Sequence, residues 1–205
     1  MPKLEFWYDF ASTYSYLAAM RIEDLANACG VTLAWRPFLL GPIFQAQGWN
    51  DAPARLFPAK GRYMMRDLER IAAARGLVFK LGSKFPQNSV YAARLAMIGV
   101  EEGWAPAFTR EIYLSQFRDG ADIADKEVLA KALMAVGQDA ATQMERAQNQ
   151  AAKDALRTQT AEAQALGIFG APAFITEDRE LFWGDDRLEQ ALDWAARLTQ
   201  PMVPA

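Results

Sequence analysis

A hydrophobic, strand-like run from Leu4 to Tyr8 breaks at Asp9-Phe10-Ala11 and gives way at about Ser12 to a helical pattern. Tyr16, Leu17, Met20, Ile22 and Leu25 are its apolar positions. This strand–turn–helix constrains the chain more than any other feature, because small hydroxyl residues, Ser12, Thr13 and Ser15, crowd the first turn of the helix. A helix N-terminus carries unpaired N–H groups and a partial positive charge. It is therefore a ready site for an anion, including a thiolate.

The rest of the chain builds around that unit. Val31 to Phe38 alternates and predicts a second strand, giving strand, helix (Ser12 to about Ala28) and strand, with the helix ended near Gly30. Leu39 to Pro58 is punctuated by Gly41-Pro42 and Gly48 and reads as loop. From about Lys60 to Leu166 the periodicity is helical, with helices expected near 60–75, 87–102, 105–118, 125–136 and, broken, 138–166. Two short strands follow, Ala173 to Thr176 and Glu180 to Trp183, around a hairpin turn at Glu177-Asp178-Arg179. A closing helix is expected from Asp186 to about Leu198, with acidic residues in its first turn as the helix dipole favours. The tail PMVPA is expected to be a surface end. The flanking halves share one sheet, so the helical block reads as an insertion into one α/β unit.

What the chain lacks narrows its chemistry. It has 205 residues, no histidine and one cysteine, Cys29. Without histidine, Ser-His-Asp and Cys-His catalysis and histidine-based zinc sites are excluded, and no metal site is expected. One cysteine excludes an intrachain disulfide and suits a reducing compartment. Cys29 falls at the expected helix end and is read as a buried structural thiol. A net charge of −3 argues against a broad nucleic-acid-binding face. No apolar run is long enough to span a bilayer, and MPKLEFWYDF has no leader-like apolar segment, so a cytoplasmic location is expected. Any catalysis must use hydroxyls, carboxylates, Lys, Arg, backbone dipoles or a borrowed cofactor.

Five ordered segments carry a resemblance: YDFASTYSYLA (8–18), WRPFLLGPIF (35–44), PAKGRYM (58–64), GIFGAPAF (167–174) and FWGDDRLE (182–189). With them the chain resembles the thioredoxin fold with a helical insertion, as in DsbA-type proteins. Within that group it is similar to 2-hydroxychromene-2-carboxylate isomerases and the related kappa-class glutathione transferases. The resemblance implies one thioredoxin-like domain over 1–205, with thioredoxin-like parts at about 1–40 and 166–200 and an all-helical insertion at about 41–165.

The resemblance also implies a site for glutathione. Thioredoxin-type proteins hold Cys-x-x-Cys where this chain has Ser12-Thr13-Tyr14-Ser15, and in the resembled families a serine replaces the first cysteine and contacts the glutathione thiol. That serine maps onto Ser12; the usual proline after it is Thr13 here. The families' cis-proline loop maps onto Ala171-Pro172, where backbone pairs with the cysteinyl segment of glutathione as another strand would. Lys60 and Asn50 match a lysine and an asparagine of the families. Asp185 and Asp186 match the segment that holds the γ-glutamyl end; Asp186 fits a family carboxylate, whereas Asp185 stands where a neutral Ser or Asn is usual.

Each of these residues also has an ordinary structural reading. Serine is a preferred helix N-cap. Lys60 would otherwise be a solvated helix-start lysine and Asp186 a first-turn carboxylate. Phe38, Phe44, Phe57, Tyr63 and Trp183 are candidates for an aromatic pocket wall but read first as packing, and Tyr16 as facing the core. Arg36, Arg62 and Arg66 are candidates for a substrate carboxylate, with nothing to choose among them.

The functional reading of Ser12 has a sufficient energy. A hydrogen bond to a charged acceptor is worth roughly 1.5–3 kcal/mol and the helix end adds roughly 0.3–1 kcal/mol. Since about 1.4 kcal/mol is one pKa unit, the two can lower a thiol pKa by about one to two units. The expected activity is a glutathione-dependent isomerisation of 2-hydroxychromene-2-carboxylate-type acids to the ring-opened trans-o-hydroxybenzylidenepyruvate form, by addition and elimination of the thiolate, with glutathione recycled. A homodimer is expected from the families. A kappa-like transferase that releases the conjugate, and a non-catalytic glutathione- or peptide-binding module, remain open. WRPFLLGPIF and PAKGRYM resemble the isomerases more. Disulfide exchange by a cysteine pair is excluded.

Overall fold

In the computed structural model, which describes residues 1–198, the opening unit forms as its pattern predicts: strand β1 (Lys3–Tyr8), helix α1 (Thr13–Ala19), helix α2 (Ile22–Cys29) and strand β2 (Thr32–Pro37). The single expected helix is two. Arg21 leaves helical geometry at φ −135°, ψ −13°, and its guanidinium turns to Asp185 and Glu189. Helix α2 ends in a Schellman-type closure. Gly30 takes φ +66° and the Val31 amide reaches back to the Ala26 carbonyl at 2.9 Å, turning Val31 into the core. Cys29, expected buried, is exposed; the last turn of α2 runs past the packed face, and Val31 fills the core place instead.

The segment expected to be loop after β2 contains α3 (Leu40–Ala46) and α4 (Pro53–Leu56), and then α5 (Pro58–Ala74) begins. The prolines misled there: Pro42, Pro53 and Pro58 sit in first turns, where the missing N–H costs nothing. Helices α6 (Val90–Glu102), α7 (Ala105–Phe117), α8 (Lys126–Ala135), α9 (Ala140–Arg146) and α10 (Gln150–Ala165) follow at the predicted places. Three of them start on preferred types of cap: the side chains of Asp125, Asp139 and Asn149 accept amide hydrogen bonds. The chain closes with β3 (Ala173–Thr176), β4 (Leu181–Trp183), a 3-10 turn at Asp185–Arg187 and α11 (Leu188–Arg197). The tail PMVPA lies outside the described residues.

The sheet has the order β2-β1-β3-β4. β1 runs parallel to β2 and antiparallel to β3, with Trp7 opposite Arg36 on one side and Ala173 on the other. Period-2 alternation divides its faces. Leu4, Phe6 and Tyr8 enter the larger core with Phe174, α11 and much of the helical block. Trp7, Ala173 and Ile175 enter a smaller core with Phe38, Ile43, Ala163 and Ile168. Tyr16 is fully buried, as expected.

The turn between β1 and α1 hangs on Asp9, a buried carboxyl. One oxygen accepts the Ala11 amide at 2.9 Å and the other accepts the Leu40 amide at 2.7 Å. The Ser89 hydroxyl also bonds to it, and burial raises its pKa against the pull of those donors. The Asp9 backbone carbonyl accepts both the Ser12 amide and the Tyr113 hydroxyl at 2.9 Å. Removing the carboxyl orphans the buried Leu40 amide at about 1–3 kcal/mol, and the half-buried Ala11 amide at the lower end of that range. Asp9→Ala is therefore expected to lower unfolding stability by about 2–4 kcal/mol, read as a shift of the urea midpoint at constant slope.

Candidate functional site

Ser12 caps α1 with extended backbone, φ −87°, ψ 116°, and its Oγ accepts the Ser15 amide at 3.2 Å. The same hydroxyl donates to the Ala171 carbonyl at 2.9 Å, 159 residues away in sequence. Ala171–Pro172 is a cis peptide bond. The first motif and the fourth thus meet through one hydrogen bond. With one lone pair held by an amide, what Ser12 can turn to a ligand is its rotatable O–H, which in the unliganded chain is donated to Ala171. No base is in place to withdraw that proton: the chain has no histidine, and both oxygens of the nearby Asp9 carboxyl are engaged. Ser12 is built as a hydrogen-bond donor at a helix N-terminus, not as a nucleophile.

The fifth motif joins from the other side of the proline loop. The Gly184 amide donates to the Pro172 carbonyl at 2.9 Å. Gly184 has φ +105°, and a Cβ there would meet the Asp186 carboxylate at 2.5 Å, so glycine lets Asp186 fold back. The Asp186 side chain is 75% exposed, with the Arg187 guanidinium 3.6 Å from one of its oxygens. Asp185 is placed differently. Its side chain is 2% exposed, and Arg75 binds both oxygens at 3.0 and 2.7 Å, while Arg21 Nε binds one at 3.2 Å.

The third motif arrives on α5. Lys60, Tyr63 and Asp67 share one helical face by spacing, and Asp67 accepts the Tyr14 hydroxyl of α1 at 2.9 Å. Burial, then the Asp67 bond, with the nearby Asp67, Tyr63 and Asp186 adding to it, raises the Tyr14 pKa. Tyr14 therefore stays a neutral donor beside the site. Lys60 is exposed at the start of α5, its ammonium 5.7 Å from the Phe57 ring. Asn50 is exposed between α3 and α4, and among the described residues no hydrogen bond joins it to the Ser12 cluster.

Of the candidate aromatics, Phe38 is core, whereas Phe57, Tyr63 and Trp183 are about half exposed or more. Trp183 packs at a tilt against Phe169, ring centroids 5.0 Å apart, and covers Gly170, where any Cβ would strike its indole nitrogen. Gln47 ties α3 to this loop through the Phe169 carbonyl at 3.2 Å. Arg36 is held by Glu5 at 2.8 Å and Arg66 by Glu69 at 2.9 Å. Among the described residues no acidic or thiol cluster suits a metal ion, and no helix is long and apolar enough to cross a membrane. Sequence reasoning missed Asp9, Asp67 and the Arg21–Asp185–Arg75 group. Only Asp9 left a local sign, an Asp two residues before the amide it accepts at the end of a strand.

Comparison with known proteins agrees with this fold. The model of the DSBA-like thioredoxin domain matches residues 3–194. A 2-hydroxychromene-2-carboxylate isomerase of Sphingobium xenophagum is 31% identical over 186 residues, 91% of this chain and 94% of that protein. A glutathione S-transferase kappa 1 of Caenorhabditis elegans is 40% identical over 73 residues, 35% of this chain and 31% of that one. A solved 2-hydroxychromene-2-carboxylate isomerase superposes with a TM-score of 0.86 at 26% identity, over 96% of this chain and 95% of that chain.

The cap role of Ser12 is separable from any chemistry. Without ligand, Ser12→Ala is expected to lower stability by about 0.5–2 kcal/mol, the usual worth of an N-cap, measured by urea unfolding.

Proposed function

The chain belongs to the DSBA-like thioredoxin family, and we propose that it is a glutathione-dependent isomerase. Its substrates in this reading are 2-hydroxychromene-2-carboxylate-type aromatic acids, and its product is the ring-opened trans-o-hydroxybenzylidenepyruvate form. One observation carries the reading: the Ser12 hydroxyl lies at the N-terminus of α1, 2.9 Å from the carbonyl that precedes cis-Pro172, in a chain with no histidine. Relatives named as isomerases match over nearly the whole chain, and other relatives are named for glutathione.

The residues suit glutathione as cofactor. Ser12 offers a hydrogen bond to a thiolate, and the α1 terminus offers its partial positive charge. The backbone around Ala171 and Pro172 offers strand-like pairing to a peptide. Lys60 is an exposed cation for a carboxylate, and Asp186 an exposed anion for the ammonium of the γ-glutamyl end. Asn50 belongs to the same reading. Glutathione, when bound, would supply a thiolate nucleophile whose addition to the conjugated acid turns a double bond into a single bond free to rotate and whose departure restores the double bond. The protein's own part is to hold the thiol deprotonated and to orient the two molecules. A homodimer, located in the cytoplasm, completes the reading.

The test is turnover of 2-hydroxychromene-2-carboxylate with and without glutathione. Conversion to the trans acid is expected only with glutathione, and Ser12→Ala is expected to reduce kcat/KM about 10- to 100-fold, the worth of one hydrogen bond to a charged acceptor. Conversion without glutathione contradicts the reading. The short, 40% identical match to a kappa-class transferase supports one alternative, which stable conjugates without isomerisation would reveal. Glutathione affinity with neither product would indicate a binding module.

A further inference from the structure

Asp185 stands where the resembled families have a neutral side chain, and its surroundings give that charge a purpose. Its carboxylate is buried and takes three charged hydrogen bonds, from Arg75 at 3.0 and 2.7 Å and from Arg21 at 3.2 Å. Its backbone carbonyl accepts a fourth from Arg21 at 2.6 Å. Glu189, in the first turn of α11, takes the outer edge of the same Arg21 guanidinium. Arg21 is the joint between α1 and α2, and Arg75 ends α5.

This one carboxylate therefore ties together the three elements that carry the proposed glutathione contacts: α1 with Ser12, α5 with Lys60, and the 3-10 turn with Asp186. A buried carboxylate against two arginines is costly unless its geometry is complete, and bidentate Arg–carboxylate pairing is directional as well as strong. At 2% side-chain exposure, with both oxygens engaged by arginine, Asp185 is turned away from a ligand. We infer that Asp185 is a positioning residue: clamped by Arg21 and Arg75, it fixes the turn that aims Asp186 at the γ-glutamyl end of glutathione and sets the distance of that turn from α1 and α5. The inference rests on the glutathione reading above and assigns Asp185 a different task from its neighbour.

The test measures glutathione binding to the full chain by calorimetry, and KM and kcat for glutathione in the isomerisation, below each variant's melting temperature. Asp185→Asn is expected to raise both the glutathione Kd and KM about tenfold, while kcat at saturating glutathione stays within about twofold. If Asp185→Asn fails to fold because it takes the buried counter-ion from Arg21 and Arg75, the double variant Asp185→Asn/Arg75→Gln removes charge in pairs. Arg75→Lys keeps the charge and loses the fork. Both are expected to show the same split between KM and kcat. A lowered melting temperature with unchanged glutathione Kd overturns the inference, leaving a purely structural clamp. A loss in kcat with KM unchanged overturns it as well. Wild-type protein that binds no glutathione overturns the functional reading itself, and this inference with it.

Discussion

The site depends on how one turn is held. β1, a central strand, delivers the chain to one end of the sheet, and α1 must begin there with Ser12 facing the Ala171–Pro172 loop. Asp9 makes that possible with two functions of one residue. Its side chain satisfies the Ala11 and Leu40 amides, and its backbone carbonyl satisfies the Ser12 amide and the Tyr113 hydroxyl. The turn is thereby bound to the start of α3 and to α7 in the helical block. A buried polar group that is fully paired specifies one arrangement, because every alternative leaves a donor stranded. The hydroxyl of Ser12 inherits that precision and reaches the proline loop through a single bond.

Much of this was legible in the sequence, for physical reasons that differ between elements. The strands and the long helices declared themselves by pattern: Lys3–Tyr8 is a hydrophobic run, buried at Phe6, Trp7 and Tyr8 and paired on both sides, and Val90–Glu102 and Ala105–Phe117 bury one apolar face. α3 and α4 were hidden because proline reads as a breaker wherever it stands, whereas in a first turn it is compatible with helix. The break at Arg21 and the exposure of Cys29 were hidden too. One depends on a partner 164 residues away, the other on which of two adjacent residues the helix closure turns inward.

The site divides the same way. Ser12, the proline loop and Asp186 sit in ordered motifs, and the structure brings Ser12 to Ala171 and the turn of Asp186 to Pro172. Lys60 joins by its helical face with Tyr63 and Asp67; Asn50 stays apart in its loop. Asp185 shows the limit of motif reasoning: adjacent in sequence to Asp186, it faces the opposite way, into two arginines that no local pattern announces. A fold shared by proteins with different chemistries leaves function to such details. Here the detail is a hydroxyl donor, with no histidine and no second cysteine, which suits holding a thiol that another molecule brings.

The central claim is that the Ser12 hydroxyl and the α1 terminus stabilise a bound thiolate. The most direct measurement is the pH titration of thiolate absorbance for glutathione bound to the wild-type protein and to Ser12→Ala. Cys29→Ser in both backgrounds removes the protein's own thiol. The account predicts a bound thiol pKa about one to two units below that of an ordinary cysteine thiol near 8.5, moving back upward in Ser12→Ala. A bound thiol with an unshifted pKa, or a shift that Ser12→Ala leaves in place, would contradict it.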